Sequence, residues 1–238
     1  MAEKQVKSRQ RVADHGEVFT AQREVNAMLD LVKQETERID SRFLEPACGD
    51  GNFLAEILRR KLAVVKARYK KRAADYEKYA VMAVTSIYGV DILQDNVEDC
   101  RRRLFKMWDE EYTENCKKEC REEVREAVQF ILERNILCGN ALTLKKVNAT
   151  GEDTDEPIIF SEWTFTGNES LKRSDYRLDV LMRSTQGSED YVMQMALFET
   201  EVGSEVNWME DPDDPQKRIP KPIKELPAVY YWKVQNYE

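Results

Sequence analysis

Phe43-Leu-Glu-Pro-Ala-Cys-Gly-Asp-Gly-Asn-Phe-Leu54 is the stretch on which the reading of this chain turns. Residues 41–46 are short, apolar at Phe43 and Leu44 and stopped by Pro46, the pattern of a buried strand. Gly49 and Gly51 let the backbone turn sharply and approach a ligand closely. Asn52 then opens a long helix with Phe53, Leu54, Ile57, Leu58 and Leu62 as its apolar stripe, which can run on through the basic segment 66–72. The first amides of such a helix face polar ligand groups. A dinucleotide-binding fingerprint requires Gly or Ala three residues after the second glycine, where this chain has Leu54. Glu45, at the strand end, would repel a pyrophosphate. A nicotinamide-dependent oxidoreductase is therefore disfavoured.

The same carboxylate suits a cofactor that carries positive charge, such as the sulfonium and ammonium of S-adenosylmethionine (SAM). Outward from this turn, residues 22–37 read as one amphipathic helix with Val25, Met28, Leu29, Leu31 and Val32 at helical spacing. Residues 86–92 are a second strand, residues 94–107 a helix, 116–134 another amphipathic helix, and 136–142 a third strand. Strands alternating with helices of this length imply crossover units and a parallel sheet. After Thr143 the character changes. Residues 148–157 read as an acidic, turn-rich loop, 158–166 and 176–182 as strands, and 228–234 as a strand-like end. Residues 1–16 read as a polar extended arm. The division expected is an N-terminal arm and helix over 1–40, a cofactor-binding domain over 41–182, and an acidic, Pro-rich extension over 183–238.

The balance of 42% hydrophobic and 34% charged residues is that of a globular chain, with no apolar run long enough for a membrane span and no apolar leader at the start. Five cysteines without paired spacing point to reduced thiols and a cytoplasmic location; Cys116 and Cys120 fall on one face of an expected helix, with no second pair to complete a zinc site. The single histidine, His15, removes Ser-His-Asp and His-based metal chemistry, so no metal is expected. A net charge of −8 means that any grip on nucleic acid relies on local patches. Arg59-Arg-Lys61, Lys66–Arg72 and Arg101-Arg-Arg103 are such patches, though each taken singly fits the solvated outer face of a crossover helix better. Trp163, Trp208 and Trp232 could stack on bases or simply pack.

Glu45-Pro-Ala-Cys-Gly-Asp-Gly-Asn-Phe resembles the SAM-binding motif of N6-adenine DNA methyltransferases from restriction–modification systems, and His15-Gly-Glu-Val-Phe-Thr20 resembles the segment preceding it in that family. The family usually has Phe-Thr-Pro; here Ala21 replaces the proline. The resemblance covers residues 10–142 and implies an α/β, Rossmann-like class I methyltransferase fold, a central mostly parallel sheet flanked by helices, with an irregular β-containing C-terminal part. It implies SAM as cofactor. Phe19 and Thr20 would line its methionine end, and Glu45, Pro46, Gly49, Asp50 and Gly51 would form the turn around it. Asp91 would take the ribose hydroxyls, Ile92 would pack on the adenine face, and Asn140 would meet the adenine edge. Taken alone, Asp91 could be a capping acid and Asn140 a turn residue.

Members of this family place Asn/Asp-Pro-Pro-Tyr/Phe after the fourth strand, where it holds the target amino group and stacks on the flipped base. The sequence contains no such tetrapeptide. Leu178-Asp-Val-Leu-Met182 reads as the strand that should deliver it, yet Arg183-Ser-Thr-Gln-Gly follows, so the catalytic residues are unknown. Two functions are expected. One is a DNA adenine-N6 methyltransferase of a restriction–modification or phage-defence system, acting on DNA with a partner subunit that supplies sequence recognition or catalysis. The alternative is a non-catalytic SAM-binding or scaffolding subunit.

Overall fold

A computed structural model describes residues 7–15, 17–184, 208–212 and 214–237. Three parallel strands, β1 (Phe43–Glu45), β2 (Ile87–Asp91) and β3 (Ile136–Cys138), pair in the order β1-β2-β3, with Phe43 opposite Ile87 and Asp91 opposite Cys138. The segment N-terminal to them forms α1 (Arg9–His15), α2 (Gln22–Leu31) and the short α3 (Lys33–Thr36). The β1–β2 crossover is a helical hairpin, α4 (Asn52–Tyr69) and α5 (Ala73–Thr85). The β2–β3 crossover is a second, α6 (Gln94–Cys116) and α7 (Glu122–Asn135).

All four crossover helices share one core. Leu54, Leu58 and Leu62, Tyr76, Ala80 and Val84, Val97, Leu104 and Trp108, and Val128 and Ile131 are buried together there. Side chains on a strand alternate between faces. Ile87 accordingly points into the helical core, whereas Tyr88 and Val90 join a second cluster with Ile158, Phe160 and Leu178. That second cluster belongs to an antiparallel layer. Beyond a hairpin of β4 (Lys145–Val147) and β5 (Asp153–Pro157), the strands β6 (Ile159–Phe165) and β7 (Ser170–Arg177) pair, and α8 (Leu178–Ser184) follows. A further hairpin, β8 (Trp208–Asp211) with β9 (Asp214–Pro220), precedes β10 (Lys224–Glu225) and β11 (Val229–Tyr230), both of which pair with β7. The fold is mixed α/β. Among the described residues its parallel sheet has three strands, with the four crossover helices on one face and the antiparallel strands with α8 on the other.

Several expectations change. The arm is helical over Arg9–His15, because Lys7 and Arg11 dock it on acids of α6. The helix expected over 22–37 breaks at Val32. Cys116 ends α6 and Cys120 lies beyond a 3₁₀ turn (Lys117–Glu119), so they do not share a helix. The third strand stops at Cys138. The loop expected over 148–157 contains β5. Leu178–Met182 is helical: Leu178, Leu181 and Met182, at helical spacing, pack on the second core. Tyr231–Asn236 is a 3₁₀ turn packed against α7 and joined to it through Gln235, not a continuing strand.

One buried cation fastens the start of the sheet. Lys61 is fully buried on α4 and donates to the carbonyls of Ile39 (3.0 Å) and Ser41 and to Ser86 Oγ (2.7 Å). These oxygens stand just before β1 and β2. Burial pushes the Lys61 ammonium down to about 7. A second polar knot ties the C-terminal segment down. Buried Glu77 accepts from Tyr112 Oη, from the Arg121 guanidinium and from Tyr231 Oη (2.7 Å), and Arg121 lies over the Trp232 ring.

Candidate cofactor crevice

In an open parallel sheet the ligand crevice lies outside the carboxyl ends of the strands. Here those ends carry Glu45, Asp91 and, one residue past β3, Gly139-Asn140. The β1–α4 turn is drawn tight by Cys48 N–H donating to Val90 O (2.9 Å) and Gly51 N–H to Cys48 O (2.8 Å). Gly49 has φ +53° and Gly51 φ +91°, the left-handed region in which a side chain is strained. A Cβ on Gly49 would stand 3.0 Å from Phe19 Cε1, and one on Gly51 would stand 2.7 Å from Cys100 Sγ. No side chain caps α4, so its first amides face the crevice end of the helix.

Asp91 organises the site. Its Oδ2 accepts Gly49 N–H at 2.9 Å, while Oδ1 accepts Leu93 N–H (2.9 Å) and Asn96 Nδ2 (3.1 Å). The carboxylate thus clamps the glycine turn to the start of α6. Thr20 reaches the same turn through its carbonyl, which accepts from Asn52 Nδ2 (3.1 Å). Arg103 donates to Asn52 Oδ1 (2.6 Å) and lies 3.4 Å from Asp50 Oδ1. Burial raises the Asp50 carboxyl, against the nearby guanidinium, and burial also raises that of Glu45.

The geometry therefore gathers Phe19, Thr20, Glu45, Gly49, Asp50, Gly51 and Asp91 around one turn. Pro46 is exposed beside it, and Ile92 is 37% exposed after the strand end. Asn140 lies at the same sheet edge, but its amide is engaged: Nδ2 donates to Asp153 Oδ1 (2.9 Å) and Oδ1 accepts Leu142 N–H (3.0 Å). It closes the turn into β4. Asn52, Asn96, Arg103 and Glu17 were given no site role by the motifs; Asn52 and Glu17 lie inside the two quoted stretches and Arg103 in a basic patch, while Asn96 carried no signal.

The basic patches are largely engaged in the fold. Lys61 is internal, Arg59 and Arg60 both pair with buried Glu56, and Arg101 donates to the carbonyls of Glu133 and Ile136. Trp163 is buried with its Nε1 on Asn135 (2.8 Å). Among the described residues no helix is long and apolar enough to cross a membrane.

No solved structure matches the chain. A curated relative, DNA methyltransferase A of Bacillus subtilis (strain 168), is 23% identical over 145 residues, which cover 59% of this chain but 16% of the relative. The family model for the DNA-methyltransferase domain of MmeI matches residues 19–207, from Phe19 of the crevice through the glycine turn, Asp91 and the antiparallel layer. With most of its length inside that match, the chain belongs to the MmeI DNA-methyltransferase domain family.

Proposed function

We propose that this domain binds SAM in the crevice above β1 and β2 and serves adenine-N6 methylation of DNA. The observation that carries the reading is the hydrogen bond from Gly49 N–H to Asp91 (2.9 Å), which makes the glycine turn and the strand-end acid one site. The residues present fit the cofactor. Glu45 and Asp91 supply negative charge for its sulfonium and ammonium. Gly49 leaves a cradle against Phe19 that a side chain would fill. Asp91 Oδ2 accepts only Gly49 N–H and keeps one acceptor site, which suits a ribose hydroxyl, whereas Oδ1 is filled by Leu93 N–H and Asn96 Nδ2. When bound, SAM supplies an electrophilic methyl group. The chain's own part is to hold the methionine end between Phe19 and the turn, and the ribose at Asp91. Asn140 would reach the adenine edge only by releasing Asp153. Calorimetric titration with SAM and S-adenosylhomocysteine tests the reading: micromolar binding, abolished by Gly49→Leu, supports it, and affinity unchanged by that substitution refutes the pocket.

A second reading has its own support. The chain lacks the catalytic tetrapeptide, and the segment expected to deliver it is helix α8, packed on the second core. Among the described residues β1 pairs only with β2, which leaves its other edge open. These features favour a subunit or domain that binds cofactor while a partner completes catalysis and sequence recognition. Transfer of labelled methyl groups to DNA by the chain alone would exclude it.

A further inference from the structure

Asn96, in the first turn of α6, is 1% exposed and spends its whole amide on two groups of neighbours. Its Nδ2 donates to Asp91 Oδ1 (3.1 Å) and to Glu17 Oε1 (2.6 Å). Its Oδ1 accepts from Lys7 Nζ (2.7 Å) and from the Arg11 guanidinium (3.3 Å). Lys7 pairs in addition with Asp95 (3.2 Å) and Asp99 (2.7 Å). Arg11 is bidentate on Asp95 and lies 2.8 Å from Glu17. Four acids, Glu17, Asp91, Asp95 and Asp99, thus meet two cations around one buried amide. The Arg11 guanidinium, and then Lys7, hold the Asp95 carboxyl down at about 2. At its other end the same N-terminal segment lays the Phe19 ring on Gly49 and gives the Thr20 carbonyl to Asn52.

We propose that residues 7–15 and 17–20 form a strap that closes over the cofactor crevice, latched by Lys7 and Arg11 on Asp95 and Asp99, with Asn96 as the positioning residue through which closure sets Asp91. The inference rests on the SAM reading for the identity of the ligand. With the strap shut, Asn96 is held by its two cationic donors in the orientation that donates to Asp91. With the strap open, Asn96 loses those donors and Phe19 leaves the turn, so a ligand touching both Phe19 and Asp91 favours the closed state. A ligand shifts such an equilibrium only by its preference for one state, and the effect is reciprocal: bound cofactor protects the strap. The latch is built mostly from part-exposed ion pairs, so it weakens as salt rises.

Two variants of the full chain separate the parts. Asp95→Ala with Asp99→Ala removes the anchors and leaves Asn96 and Asp91 in place. S-adenosylhomocysteine should then leave about fivefold to tenfold faster in stopped flow, as expected for several part-exposed pairs. Trypsin should cut at Arg9 and Arg11, and the acceleration that wild type shows between about 0.05 M and about 0.5 M salt should vanish. Asn96→Asp loses the donors to Asp91 and to Glu17, and keeps the acceptor for both cations, whose stronger attraction to a carboxylate offsets the lost bond to Glu17 in the strap. Affinity should fall about tenfold, the scale of one hydrogen bond to a charged group, while the strap stays as resistant to trypsin as in wild type. That split is one a merely structural Asn96 would not give. An anchor variant with unchanged release and unchanged protection overturns the latch. An Asn96→Asp chain of wild-type affinity overturns the positioning role. If wild type binds neither compound, the cofactor reading fails and takes the Asp91 role with it. The latch is then decided by trypsin and hydrogen exchange alone, where lost protection in the anchor variant upholds it and retained protection overturns it.

Discussion

Replacing Gly51 by alanine tests the packing beneath the crevice, because the structure predicts two separable penalties there. Gly51 has φ +91°, and a residue with a Cβ in that region costs about 1–2 kcal/mol. The new methyl would also stand 2.7 Å from Cys100 Sγ and 3.5 Å from Cys100 Cβ. Cys100 is fully buried, so its sulfur has little room to turn aside, and overpacking of this kind adds about 1–3 kcal/mol. Gly51→Ala should therefore cost about 2–5 kcal/mol in urea unfolding. Gly151 provides the control: its φ is +82° and nothing lies within 4 Å of its would-be Cβ, so Gly151→Ala should show the backbone part alone. Cys100→Ala, mild by itself, should relieve the crowding when combined with Gly51→Ala. The double-mutant cycle should then return a favourable coupling of about 1–3 kcal/mol. A double variant additive within about 0.5 kcal/mol, or a Gly51→Ala cost equal to that of Gly151→Ala, would refute the close contact between turn and α6.

Asp91→Asn should weaken SAM binding by about 1–3 kcal/mol and also lower stability, since Gly49 N–H, Leu93 N–H and Asn96 Nδ2 all use the carboxylate; calorimetry and urea unfolding on the same samples check both. Lys61 lies below its ordinary value of 10.5, at about 7, so the unfolded chain binds the extra proton between these values. The contribution of Lys61 is then full above the ordinary value and lost as pH falls towards about 7, and Lys61→Met should flatten that rise in a series of urea curves. Glu77→Ala leaves Tyr112, Arg121 and Tyr231 without their common acceptor. It should cost about 2–4 kcal/mol and open Lys233 to trypsin, and a wild-type digestion pattern would count against that knot.

The parallel strands and the glycine turn were legible because each is a local pattern. Apolar runs ended by Pro46, Asp91 and Gly139 mark the strands, and Gly49 and Gly51 mark the turn. The helix α5 was not legible. Its inner face mixes Tyr76, Ala80 and Ala83 with Val81 and Val84 and has no Leu stripe, and the basic run before it hides the break at Lys70. The hairpin of β4 and β5 was masked by its own acidity; Thr154, Asp155 and Glu156 sit in a strand because Lys145 and Val147 supply the pairing. The docking of β10 and β11 on β7 joins residues about fifty apart, which no local window reports. The same limit hid Asn96 and Lys7, whose partners lie on distant elements, while Asp91 was visible because it ends a strand.

Charge around the crevice bears on where DNA is held. Glu45, Asp50 and Asp91 line the turn, Glu17, Asp95 and Asp99 stand behind it, and the nearby cations Lys7, Arg11 and Arg103 are all engaged with these acids or with Asn52. Such a site attracts a cationic ligand and repels phosphate. Of the arginines in the two patches nearest the turn, Arg59 and Arg60 pair with Glu56, Arg101 with backbone carbonyls, Arg103 with Asn52 and Asp50, and the exposed Arg102 with Asp99. Lysines that remain exposed, at Lys70 and Lys71 and at Lys117 and Lys118, stand at the far ends of α4 and α6 from the turn. Each of these helices rises about 1.5 Å per residue. Those cations therefore lie some 25–35 Å along the helices from the glycine turn, more than the width of a DNA duplex. Near the turn, a duplex whose base enters the crevice would find the exposed Arg9 and Arg23, on the helices that flank the Phe19-Thr20 segment, and Arg102, itself paired with Asp99. A chain that grips DNA with about six to ten phosphate contacts needs that many cations near the reacting base. The acids that surround the turn, independently of the missing tetrapeptide, support the proposed reading in which a partner supplies further basic surface and the catalytic residues.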